Sequence, residues 1–128
     1  MKTGANDICC CGQVKAYIDC CGRYIDAGEL PETAEKLMRS RYTAYVLGRT
    51  DFLLATWHPH TRPVSLALTT QQKWLDLSVK KYEQLSPEHA VVEFVARYKV
   101  AGRTHCLHEI SRFVFERGRW LYVEGEFI

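Results

Sequence analysis

No stretch of this sequence approaches the roughly eighteen consecutive apolar residues that a membrane-spanning helix requires. The segment Met1 to Asp7 is polar and offers no apolar run to serve as a secretory leader. The expectation is a cytosolic protein. An excess of one charge is missing too: 17 Lys and Arg against 15 Asp and Glu leave a net +2, too little to imply binding to nucleic acid or an anionic membrane. Several catalytic signatures are also missing, since the chain has no nucleophile elbow, no phosphate-cradling glycine loop and no HExxH. With 47% apolar and 25% charged residues, neither disorder nor a fibrous architecture is indicated. A length of 128 residues suits one compact domain with a small appended module.

What the sequence does have is cysteine, unevenly placed. Five of the six cysteines lie between Cys9 and Cys21, and in a reducing compartment clustered thiols are more often metal ligands than disulfides. The run reads as C-x-C, eight residues, then C-C. Two close pairs on facing turns can supply four soft ligands in a tetrahedron, the arrangement zinc prefers. Gly12 and Gly22 each follow a pair, where the chain must turn and a side chain would crowd the metal. Lys15 to Asp19 is long enough for about one helical turn, with Tyr17 placed to cover the site. Two other readings compete. Adjacent cysteines bridge one another only with strain, and the spacing lacks the patterns of iron–sulfur proteins. Cys10 is a spare thiol able to swap into the first pair, whereas Cys106, in a strand-like stretch, reads as a small buried hydrophobe.

The segment C-x-C-G, then Tyr, then x-x-C-C-G, over Cys9 to Gly22, resembles the SEC-C motif, the zinc module at the C-terminus of the SecA translocation ATPase. The resemblance implies one structural zinc held by Cys9, Cys11, Cys20 and Cys21. That motif usually has Pro at Cys10 and Ser-Gly at Gln13-Val14.

Beyond the cluster, the apolar spacing of Ala34, Leu37, Met38, Tyr42, Tyr45 and Val46 predicts a helix from Pro31 to Leu47 that stops at Gly48. A second short helix carries Phe52 to Trp57, capped by Thr50 or Asp51, and ends before Pro59. One further helical turn is expected around Ser65 to Leu68. Four strands follow, at Leu75–Leu85, Ala90–Val100, Thr104–Glu116 and Trp120–Glu124, with turns at Ser86-Pro87, Ala101-Gly102 and Arg117-Gly118. Such short connections make an antiparallel meander. The fold class is therefore α+β: helices packed on a curved antiparallel sheet behind an N-terminal zinc knuckle. Alternation sends His105, Leu107, Glu109, Ser111 and Phe113 to one face of the third strand.

The segments Leu37–Tyr45, Thr56–Pro59, Phe94–Tyr98, Glu109–Phe113 and Trp120–Gly125, in that order, look like the YchJ-like family. The resemblance implies a SEC-C-like zinc-binding module over residues 1–25. Over 30–128 it implies a domain similar to nuclear transport factor two, the cone-shaped fold shared with ketosteroid isomerase.

The cone fold hosts enzymes, binders and interaction modules alike, so chemistry has to be argued from residues. Arg41, Trp57, His58, Glu109, Ser111 and Tyr122 are candidates for the mouth of a cavity, where a His beside a carboxylate could do acid–base work. The same groups also suit a structural network, with Arg41 or Arg112 paired to Glu109 and the aromatics in the core. The leading expectation is a zinc-stabilised adaptor with a protein partner, a homodimer remaining open. The alternative is a small-molecule binder or enzyme using the cavity. A nucleic-acid-binding knuckle is disfavoured, because Lys2, Lys15 and Arg23 face Asp7 and Asp19 within the first 25 residues.

Overall fold

The computed structural model describes residues 6–68 and 71–128, so residues 1–5 of the expected module, Lys2 among them, lie outside it. The order of elements is a turn of 3₁₀ helix at Tyr17–Asp19, α1 (Gly22–Ile25), α2 (Ala34–Leu47), α3 (Thr50–Ala55), β1 (Lys73–Ser86), β2 (His89–Val100), β3 (Arg103–Glu116) and β4 (Arg119–Phe127). Among the described residues, no helix is long and apolar enough to cross a membrane.

Helix α2 begins at Ala34 rather than Pro31, because the Thr33 hydroxyl accepts from the Lys36 amide at 3.2 Å and caps the first turn. It ends at Gly48, whose positive φ turns the chain into α3. Arg49, not Thr50 or Asp51, occupies the α3 N-cap position, and its side chain offers the helix no cap hydrogen bond. The helical turn expected at Ser65–Leu68 does not form; those residues are irregular, and Leu66 and Leu68 pack under the cysteine cluster instead.

The four strands form one antiparallel sheet in the order β1-β2-β3-β4. Ala101-Gly102 and Arg117-Gly118 have positive φ at both positions, the conformation that closes a two-residue hairpin with the natural strand twist. Register shifts interrupt β1 three times and the β3–β4 pair once, and such bulges bend a sheet. Strand β4 runs three residues beyond the expected Glu124, which brings Gly125 opposite Ser111 and Phe127 opposite Glu109.

Alternation on β2 turns Ala90, Val92, Phe94 and Ala96 toward the helices, where they meet Leu37, Met38 and Tyr42 of α2 and Phe113 and Trp120 of the sheet. A second buried cluster lies on the other side of α2. Cys9, Cys11, Tyr17, Cys21 and Ile25 pack there against Ala44 and Leu53. Helix α2 is thus buried on two faces. Cys106 falls on the opposite face of β3 from Leu107 and is exposed, against the expectation of a buried thiol. The sheet leaves that face without a covering layer at this end.

Candidate functional site

The cysteine cluster is assembled by backbone turns. The Cys9 amide donates to the Lys15 carbonyl at 2.8 Å and the Tyr17 amide to the Asp7 carbonyl at 2.7 Å, which folds the first pair back toward the second. The Sγ atoms of Cys9, Cys11, Cys20 and Cys21 all lie within 4.8 Å of one another, and those of Cys11 and Cys20 are 3.5 Å apart. Four sulfurs at about 2.3 Å from a shared zinc stand about 3.8 Å apart. The cluster therefore fits a single four-coordinate ion, and these four residues could hold a metal.

The thiols perturb one another: hydrogen bonds from Cys10, Cys11 and Cys21 hold Cys9 far below the thiol range, whereas bonds to Cys11 and Cys9, together with burial, push Cys21 far above it. A cation bound by all four would take the place of the protons they share. Cys10 is outside the four but beside them: its thiol donates to the Thr43 hydroxyl at 3.5 Å, the same hydroxyl that contacts the sulfurs of Cys9 and Cys21.

Three contacts that the sequence did not announce fasten the cluster to the domain. Arg39 donates from Nη1 to the Cys11 carbonyl at 2.7 Å while its Nε holds Glu35 at 3.0 Å. Thr43, fully buried, donates its hydroxyl to Cys21 Sγ at 3.4 Å. The Tyr17 hydroxyl donates to Asp26 at 2.8 Å, and Asp26 accepts from Arg49 at 2.7 Å. Tyr17 is thus a buried wall of the cluster, as its position between the pairs suggested. The turn expected at Gly12 is there, at a φ of +96°, while the atoms a side chain would meet first at either glycine belong to Arg39 and Tyr17. A Cβ on Gly12 would stand 3.1 Å from Arg39 Nη1, and one on Gly22 would stand 2.7 Å from the Tyr17 carbonyl oxygen.

A second feature lies on the opposite side of α2. A cavity of about 360 Å³ opens between α2, the Trp57 segment and the inner face of the sheet. Of the six residues expected around a cavity, Arg41, Trp57, Glu109, Ser111 and Tyr122 line it. His58 does not. The chain at Trp57 runs beside Tyr122 as an isolated parallel bridge, with the His58 amide donating to the Tyr122 carbonyl at 2.7 Å and the Tyr122 amide to the Thr56 carbonyl at 2.9 Å. Strand alternation then turns Trp57 inward and His58 away. The His58 ring accepts from the His60 amide at Nδ1, so Nε2 carries the proton and donates to Glu116 at 3.0 Å.

Arg41 is almost wholly buried, yet it forms no direct pair with Glu109, and Arg112 pairs with Glu124 instead. Nη1 of Arg41 donates to the Leu53 carbonyl and to the Thr56 hydroxyl, both at 2.7 Å. Its guanidinium packs against the edge-to-face pair of Trp57 and Tyr122, 5.0 and 4.5 Å from the ring centroids, which are themselves 5.1 Å apart, within cation–π distance of both. Burial lowers its pKa to about 10, and burial likewise pushes the Tyr122 hydroxyl up, helped by Glu109. Glu109 accepts from Ser111 at 2.5 Å and from the Tyr122 hydroxyl at 3.4 Å. Its carboxylate rests on Gly125, where any side chain would collide with it. Tyr45 and Gly125 are site residues that the sequence reading left out. By spacing Tyr45 belongs to the apolar stripe of α2, and Gly125 comes into the site because β4 runs past Glu124.

A four-stranded meander on one long helix, with a cysteine cluster sewn to that helix, defines an α+β domain of the nuclear-transport-factor-two-like class carrying a SEC-C-type cluster. A model of the YchJ middle domain, itself described as NTF2-like, matches residues 33–125. The chain belongs to that YchJ-like family, whose relatives are called UPF0225 proteins. One from Cupriavidus metallidurans is 53% identical over 124 residues, covering 92% of this chain and 87% of the relative. One from Bordetella pertussis is 53% identical over 122 residues, covering 92% and 91%. The solution structure of a SEC-C motif containing protein from Rhodopseudomonas palustris superposes with a TM-score of 0.86 at 35% identity, over 94% of this chain and 98% of that one. The crystal structure of another such protein, from Psychrobacter arcticus, gives 0.80 at 27% identity, over 94% and 82%.

Proposed function

We propose that this protein binds a small molecule in the cavity beneath α2, and that its four-thiolate site holds one structural zinc that ties the N-terminal segment to the same helix. The observation that carries the reading is the open cavity. Trp57, Trp74, Phe94 and Phe113 stand around it without filling it, and a carboxylate lies in its wall. Mostly apolar concave sites with a few convergent polar groups are where small ligands bind. The metal site has the opposite character. Four protein ligands leave a zinc ion no position for substrate, which is the structural arrangement. Four thiolates favour zinc or iron, and the short separation of these sulfurs suits one ion rather than a multi-iron cluster.

Elemental analysis by mass spectrometry tests the metal: one zinc per chain, lost when Cys20 and Cys21 are changed to Ser and retained in Cys10→Ser. Iron in place of zinc would count against it. Protein-observed NMR with a fragment collection tests the cavity, and the reading fails if no fragment shifts the Trp57 and Trp74 side-chain resonances.

A second reading, the adaptor, is favoured by one observation: Ile8, Val14 and Ile18 are 63%, 87% and 53% exposed on the outer side of the knuckle. Exposed apolar side chains of this kind can seat a protein partner. Identical sets of captured proteins with the intact chain and with a Val14→Asp, Ile18→Asp variant would remove it.

A further inference from the structure

Resting on the reading of the cavity as a small-molecule site, we propose that its ligand is uncharged, largely apolar and ring-containing. It carries one N–H or O–H group that it donates to Glu109.

The polar requirement comes from the unequal use of the two carboxylate oxygens. Oε2 of Glu109 receives both the Ser111 and the Tyr122 hydroxyls. Oε1 receives no protein donor among the described residues, yet it is not sealed from solvent: the buried side-chain atom lacking a partner there is the Trp57 indole nitrogen. One acceptor is therefore left without a protein donor in a wall that is mostly apolar, with the Trp57 indole N–H the unpartnered donor of the same wall. Gly125 underlines the arrangement, because only a residue without a side chain leaves room for the carboxylate to lie where it does. A ligand donor placed on Oε1 completes the hydrogen bonding of a buried acceptor, and a ligand without one strips water from it for nothing in return.

The charge requirement comes from Arg41. It lies within electrostatic reach of Glu109, and the two together leave the cavity balanced. A cationic ligand would add to Arg41, and an anionic one would oppose Glu109, each leaving a net charge in a poorly solvated space. Nor is Arg41 poised to grip an anion. Its Nη1 is taken by Leu53 and Thr56, and the rings of Trp57 and Tyr122 pack together against its guanidinium. The shape requirement comes from the remaining walls, where Trp74, Phe94, Leu107, Phe113 and Phe127 present flat apolar surface around a volume of about 360 Å³. A volume near the lower end of the usual range for ligand sites suits one ring or two fused rings.

The test uses the zinc-loaded full chain labelled with ¹⁵N and four probes built on the same indole ring. Indole is neutral with a donor, 1-methylindole is neutral without one, indole-3-carboxylate is an anion and tryptamine is a cation. Titrations followed at the side-chain N–H signals of Trp57 and Trp74 should give indole a dissociation constant lower by about tenfold than each of the others, the worth of one hydrogen bond to a charged acceptor. In Glu109→Gln that preference should shrink to less than about threefold. Should that variant fail to fold, the four titrations of the wild-type chain decide by themselves. Equal affinities for indole and 1-methylindole overturn this inference and leave the cavity reading standing, as does tightest binding by the carboxylate or the amine. No shift at either tryptophan with any probe overturns both.

Discussion

Thr43 donates its hydroxyl to the sulfur of Cys21 at 3.4 Å, from the centre of a helix whose other side lines the cavity. A fully buried threonine facing a thiolate cluster gives that hydrogen bond unusual weight, since outer contacts of this kind typically change metal affinity by about 10- to 100-fold. Thr43→Val keeps the shape and deletes the donor. Competition with a chromophoric chelator should show zinc held about tenfold more weakly, while the far-ultraviolet circular dichroism stays that of the parent.

Metal removal should be felt well beyond the knuckle. Cys9, Cys11 and Cys21 share a buried cluster with Ala44 of α2 and Leu53 of α3, and Arg39 holds the Cys11 carbonyl. A knuckle that folded on its own would lose only its own structure with the ion and leave the sheet intact. With the two packed together, chelation should lower the midpoint of the main thermal transition, as read by scanning calorimetry. An unchanged main transition would show that the knuckle folds apart from the helices. Leu53→Ala, which empties a fully buried position between the two, should cost about 2–5 kcal/mol in urea denaturation.

Arg41 holds the end of α3 through the Leu53 carbonyl and the Thr56 hydroxyl. Arg41→Met removes both donors and leaves Glu109 without its neighbouring positive charge. The expected loss is about 2–4 kcal/mol, in the range of breaking a buried polar network, measured by urea denaturation. Arg112→Met, at the exposed pair with Glu124, should change stability by less than about 1 kcal/mol in the same measurement.

The Tyr17–Asp26–Arg49 chain adds a pH dependence. The Arg49 guanidinium, followed by the Tyr17 hydroxyl, holds the Asp26 carboxyl below the usual carboxylate range. A depressed folded-state pKa contributes stability that is present above the unfolded value and is lost as pH falls through the folded one. Asp26 is about half exposed, so solvent screening limits the effect to about 0.5 kcal/mol. Asp26→Asn should flatten the slope of unfolding free energy below about pH 4 by that amount. Identical slopes in the two proteins would remove Asp26 as a contributor.

The sequence by itself determined the order of the two main helices and four strands, most of their facing residues and the four cysteines that come together in the cluster. Each of these is written in local signals: apolar spacing along α2, two-residue periodicity on β3, turn residues between strands and a compact C-x-C and C-C spacing. Five of six candidate cavity residues were legible because strand alternation and helix periodicity fix which way a side chain leaves the backbone. His58 was misplaced because its direction depends on a bridge to Tyr122, a contact across 64 positions of chain. The exposure of Cys106, the gap above Gly125 and the unused oxygen of Glu109 were equally out of reach. What only the tertiary structure decided is that α2 serves both sites at once, with Thr43 and Arg39 turned to the cysteines and Met38, Arg41 and Tyr45 turned to the cavity. A helical repeat places residues on faces, but what each face meets is settled by the packing of segments distant in sequence.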